Sequence, residues 1–184
     1  MSSPSQPFSE REFYLAEFRR RTIGIAWPAG EEPNPSPFQE VVDELVANGA
    51  RVVILTPRLA VFDDANAAPP IDFSDSNFAP RLWRQLQDKG RAGLRVSSES
   101  FEEQCSQAAQ LLGLAKVVWI QSTPPVERVT GEGRVSMVDL AHLQTLLDDP
   151  RGVKRAESGE IALRVVPGRE ALLHAIRDMI DGGV

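Results

Sequence analysis

The sequence predicts an α/β protein: a three-layer helix–sheet–helix sandwich on a mostly parallel central sheet. Three observations predict it. Short apolar stretches recur at Thr22–Trp27, Arg51–Thr56, Gly93–Val96, Lys116–Ile120 and Ile161–Val166. They are of strand length, and between them lie longer segments whose apolar residues fall three and four apart, the helical period. The joins carry helix caps, glycines and prolines. Buried strands linked by helices pair in parallel with right-handed crossovers. A sheet built that way is covered on both faces.

Each element has a local reason. Residues 1–8 are rich in Ser and Pro and read as a disordered tail, with 9–184 as one domain. Ser9 with Glu12 opens a helix to Phe18, and Arg19–Arg21 ends it where positive charge suits the helix dipole. Thr22–Trp27 is apolar on both faces, as a central strand must be. Ser36 caps the next helix, with Pro37 at its first position and Gln39 completing a capping box. Phe38, Val41, Val42, Leu45 and Val46 form its stripe, and Asn48-Gly49 stops it. The strand Arg51–Thr56 follows and ends at Pro57. Ala60–Asp75 reads as a surface excursion. Asn77–Lys89 is a helix with Phe78, Leu82, Trp83 and Leu86 on one side and Gly90 at its end. After Gly93–Val96, Ser100 with Glu103 makes another capping box, for a helix through Leu112 that stops at Gly113. Lys116–Ile120 is read as another buried strand. Glu127–Val135 reads as a small hairpin. Ser136 with Asp139 caps a Leu-rich helix, Ile161–Val166 is a last strand, and Glu170–Ile180 a last helix.

Composition narrows the function. The 184 residues carry a formal net charge of −6, which opposes binding to nucleic acid. No apolar run reaches the ~20 residues a membrane span needs, and the N-terminus lacks a signal-peptide pattern. Cys105 is the only cysteine, so no internal disulfide forms. These features read as a cytoplasmic chain with no membrane partner. Cys105 sits in an amphipathic helix and reads as a buried thiol rather than a nucleophile. His142 and His174 both fall on helices. Asp63, Asp64 and Asp72 are acidic loop residues that read as solvated rather than as a metal site.

In open α/β sheets ligands bind beyond the carboxyl ends of the strands. The loops that matter are therefore Trp27–Glu32, Thr56–Leu59, Ser97–Ser100 and Gln121–Pro125. None carries a dinucleotide fingerprint, a phosphate loop or a nucleophile elbow.

Phe13–Ile25, Phe38–Leu55, the Thr-Pro-Pro-Val loop with its following helix in Ala115–Leu147, and Val165–Arg169 carry a resemblance by order and pattern. Together they resemble the amino-acid kinase family: acetylglutamate kinases and the kinase-like domain of N-acetylglutamate synthases. The resemblance implies a small amino-acid-like ligand. It also implies assembly, because the aromatic N-terminal helix with Phe13, Tyr14 and Phe18 is similar to one that interlaces subunits in some acetylglutamate kinases. The departures sit at the strand ends. Ala26-Trp27-Pro28-Ala29 stands where the family has a Lys and two glycines. Thr56-Pro57-Arg58-Leu59 stands where it has a glycine cluster. Ser122 or Thr123 replaces an Asp, and Pro167-Gly168-Arg169 replaces a Pro-Lys. The family also continues beyond the counterpart of Gly182–Val184. The lysine neutralises charge on a transferred phosphoryl group and the glycines admit phosphate to the backbone.

The expectation is therefore a domain that binds a small ligand, regulates or assembles, without phosphotransfer and without a cofactor. Its candidate ligand-binding residues are Trp27, Arg58, Thr123 and Arg169. No residue is assigned a catalytic or metal-binding role. Arg58 leads, since its fork suits a carboxylate, and Arg169 suits phosphate. The alternative is an active kinase using ATP and magnesium on the carboxylate of N-acetylglutamate or a related amino acid, in arginine biosynthesis, with Arg169 and Lys116 covering for the missing lysine.

Overall fold

The computed structural model describes residues 9–31, 35–59, 61, 68–129, 135, 138–150 and 163–184. Five parallel strands form its centre: β1 (Thr22–Ala26), β2 (Arg51–Thr56), β3 (Ile71–Asp72), β4 (Arg91–Arg95) and β5 (Lys116–Trp119). Their order across the sheet is β3-β4-β2-β1-β5. The helices are α1 (Glu10–Phe18), α2 (Pro35–Ala47), α3 (Phe78–Lys89), α4 (Phe101–Leu112), α5 (Leu140–Asp148) and α6 (Glu170–Asp181). The α/β sandwich expected from the sequence is the fold observed.

The layers follow from the alternation of side chains along β2. Val52 and Ile54 join Ile23, Ile25, Phe18, Val42 and Leu45 in one core, under α1 and α2. Val53 and Leu55 join Leu82, Leu86, Leu94, Phe101, Cys105 and Met179 in the other, under α3, α4 and α6. The connectivity explains the split. From β1 the chain moves one way to β2, whereas β3 to β4 and β4 to β5 move the opposite way. Right-handed crossovers that reverse direction must place their helices on opposite faces. Gly24 of β1 faces the α4 side, where an added Cβ would meet Leu114 Cδ1 at 2.8 Å.

Several local expectations hold. The Ser9 hydroxyl accepts from the Glu12 amide at 3.3 Å, and Tyr14 stacks on Phe18 one turn later. Gly90 and Gly113 end α3 and α4 in the left-handed conformation. Cys105 is buried, and burial pushes its thiol pKa far up, with Glu102 adding to it. His142 and His174 lie on α5 and α6.

Others are corrected. The helix α2 starts at Pro35, which places Ser36 within its span, while the Ser36 side chain lies outside what is described. Ser100 precedes α4 but its side chain caps no amide. Its hydroxyl instead accepts from Gln104 Nε2 at 3.0 Å, and Glu103 accepts from Gln107. Strand β4 begins at Arg91, not Gly93. Strand β5 is not fully buried: it lies at the edge of the sheet, and Lys116 and Val118 are exposed. The last strand does not join the central sheet. Strands β6 (Val126–Arg128) and β7 (Leu163–Val165) form a separate antiparallel pair. The reason is alternation: Val126 and Val165 face a small core with Leu143, Leu146 and Leu173. On the other side Arg164 Nε donates to Glu127 at 2.6 Å. The far half of the expected hairpin, residues 130–134, lies outside the described residues, as do the 1–8 tail, Asp63, Asp64 and Ser136. Asp139 caps α5, accepting from the His142 amide at 2.8 Å.

Candidate functional site at the carboxyl edge of the sheet

The carboxyl ends of the strands carry two groups of polar side chains, one on each side of β2. The first gathers around Glu31, in the loop after β1. Trp27 leaves β1 with 6% exposure, and its Nε1 donates to the Glu31 carbonyl. Arg58, in the loop after β2, donates to the same carbonyl at 3.3 Å. Its guanidinium carbon lies 4.4 Å from the centre of the Trp27 ring, a cation–π contact. The Glu31 carboxylate reaches the loop after β5, accepting from the Ser122 amide at 3.0 Å and its hydroxyl at 2.9 Å. Arg169, just before α6, is 3.9 Å from the same carboxylate. Gln121 carries a buried Oε1 with no hydrogen-bond partner among the described residues.

Glu31 therefore links the exits of β1, β2 and β5 with the start of α6. The site lies beyond the carboxyl ends of the neighbouring strands β2, β1 and β5, and open α/β sheets bind ligands beyond the carboxyl ends of their strands. Of the sequence-selected residues, Trp27, Arg58 and Arg169 come together here. Thr123 is exposed, and its neighbour Ser122 makes the contact. Glu31 and Ser122 were not among the ligand-binding candidates. Both stand inside loops that the strand-end rule selects, but only the tertiary fold brings them within hydrogen-bond range. Lys116 is at the other end of the sheet, opposite Ile23, with its ammonium 5.3 Å from the Phe18 ring centre.

The second group lies beyond β2, β3 and β4. A cleft of about 580 Å3 is lined by Pro57, Phe73 and Val96 together with Asp72, Arg95, Ser97 and Gln104. Ser74 and Ser98 also line it. Asp72 Oδ1 accepts from the Ser74 amide at 2.9 Å and its hydroxyl at 2.6 Å. Asp72 Oδ2 accepts from Arg95 Nε at 3.0 Å and from Nη2. The Ser74 hydroxyl first, then Arg95 and the Ser74 amide, hold the Asp72 carboxyl down at about 2. Arg95 Nη1 makes no hydrogen bond among the described residues, and neither does the Ser98 hydroxyl. Gln104 Oε1 takes the Ser97 amide at 2.8 Å and so fixes the wall at α4.

Both oxygens of Asp72 are saturated, so the cleft has donors to spare and few acceptors. Its chemistry suits a small carboxylate with an apolar body, the carboxylate on Arg95 and the body against Phe73, Pro57 and Val96. Among the described residues no three metal-ligating side chains come together, and no helix is long and apolar enough to cross a membrane. No family model matches the chain, and no curated protein or solved structure does.

Proposed function

We propose that this chain is a small-ligand-binding domain, acting on an amino-acid-like carboxylate and transferring no phosphate. The cleft at Arg95 carries the reading. Its volume falls within the range of roughly 300–1,000 Å3 usual for small-molecule sites. It combines apolar walls with one oriented guanidinium. Asp72 holds that guanidinium through two nitrogens, so little rotamer freedom remains to be lost on binding. A ligand with a free ammonium finds no open oxygen on Asp72, so an N-acylated amino acid is favoured over a free one.

The exit of β1 supports the second half of the proposal. Phosphoryl transfer needs positive charge and open backbone amides where charge develops. Here Trp27 and Pro28 follow the strand, and the Glu31 carboxylate occupies Ser122 and faces Arg169. Lys116, the other cation that the kinase alternative needs, lies at the opposite end of the sheet.

Thermal shift with N-acetylglutamate, arginine and ATP–magnesium tests the reading. A ligand at ~100 times its dissociation constant adds about 2.7 kcal/mol of stability. N-acetylglutamate is expected to raise the melting temperature of the wild type and not of Arg95→Gln. No ADP is expected with ATP present. Ligand-dependent ADP formation would overturn the proposal, as would an equal shift in Arg95→Gln.

A further inference from the structure

The Glu31 corner lies across β2 from the cleft and shares no lining residue with it. Its geometry has a property that simple structural clasps lack. The Ser122 amide, the Ser122 hydroxyl and Arg169 converge on one point, and what they hold is a carboxylate. That donor set is what a free carboxylate would need. The bond to Arg169, at 3.9 Å, is long for a charge-assisted contact, so Glu31 meets the two serine donors well and the arginine poorly. The corner is thus filled but incompletely satisfied by the protein's own side chain.

We propose that this corner is a second anion site, gated by Glu31, which binds a small free carboxylate when the Glu31 side chain swings out. The ligand's two oxygens take the place of Glu31 Oε1 and Oε2 on Ser122 and Arg169. The displaced Glu31 carboxylate moves to solvent, which suits its position on the surface loop after Gly30. The Glu31 carbonyl accepts from both Trp27 and Arg58, so the Trp27 indole N–H is bonded to the same residue whose side chain rearranges and senses that rearrangement. Occupancy is therefore reported by two places at once, the Ser122 amide and the Trp27 indole N–H.

Competition by a tethered group sets the scale. A short tether gives an effective concentration in the millimolar range or above, so a free carboxylate must reach ~10 mM or more to compete. Removing the competitor lowers that threshold, since the competent form is no longer a minor population. The test is a titration of the full chain with sodium acetate, followed by amide and indole NMR signals, with sodium chloride at equal ionic strength as control. In the wild type, acetate is expected to move the Ser122 amide and the Trp27 indole signals together. In Glu31→Ala the midpoint is expected at least tenfold lower, and in Glu31→Ala/Arg169→Gln the response is expected to vanish. Because the wild type is itself titrated, a variant that folds poorly does not remove the test. Wild-type signals that move no more with acetate than with chloride would overturn the proposal, leaving Glu31 as a fixed clasp. So would equal midpoints in the wild type and Glu31→Ala.

Discussion

Asp72 accepts four hydrogen bonds, and their common effect is to favour its charged form. The Ser74 hydroxyl is the largest cause, ahead of Arg95, and together they bring the carboxyl from the ordinary 3.8 to about 2. A carboxyl depressed in the folded state stabilises the fold above its unfolded value. That contribution is lost as pH falls through the folded value. The melting-temperature gap between the wild type and Asp72→Asn is therefore expected to stay constant from pH 7 to 5 and to narrow between about pH 4 and 2. The side chain is more than a third exposed, so solvent screens the effect and its size stays modest. A gap as wide at pH 2 as at pH 7 would show that the pair contributes nothing through charge. Cys105 illustrates the opposite outcome of burial. Desolvation keeps its thiol protonated, so the chain's one cysteine is chemically quiet.

Helix ends carry the next level of the argument. Gly90 ends α3 with φ of +69°, and an added Cβ would stand 2.6 Å from Val46 Cγ1 on α2. Both the backbone conformation and the close approach thus require glycine. Gly90→Ala is expected to destabilise by about 1–2 kcal/mol for the backbone conformation alone, with the clash adding to it. Urea unfolding measures this as a lower midpoint with unchanged slope. Gly113→Ala provides the comparison, because its Cβ would meet nothing within 4 Å. Equal losses at the two sites would mean that the Val46 contact is relieved at no cost. These stops were legible in the sequence, since glycine after a periodic apolar run is a local signal. The capping box at Ser100 was not, because its side chain has another partner within one turn. Gln104 takes the Ser100 hydroxyl, a choice that the spacing alone does not predict. The site divides the same way. Trp27 and Arg58 were legible because strand ends are where ligands bind, and Arg169 was singled out only through the family resemblance. Glu31, Ser122, Asp72 and Arg95 depend on which strand lies beside which, and that order is not written in any local pattern.

At the scale of the whole molecule, the central sheet and the small β6–β7 unit differ in how they are held. Strands β1 and β2 are covered on both faces by helices, and β2 is buried over Val52–Thr56. The β6–β7 pair has two strands and a core of Val126, Leu143, Leu146, Val165 and Leu173. Two strands alone are marginally stable in water, so this unit depends on α5 and α6. Helix α6 serves both: Leu173 belongs to the small core, Met179 to the large one, and Ile176 packs against each. Local stability is expected to follow this division. Amide exchange in the native state is predicted to be slowest at Val52–Leu55 and faster at Val126–Arg128 and Leu163–Val165. Leu173→Ala removes a fully packed side chain, at a cost of about 2–5 kcal/mol to whatever unit contains it. If the small unit opens by itself, the variant speeds exchange at β6, β7 and α5 and leaves the slowest amides of β2 far less affected. If all amides accelerate together by the same factor, the chain unfolds as one cooperative body, and Ile176 and its neighbours on α6 transmit the loss from one core to the other.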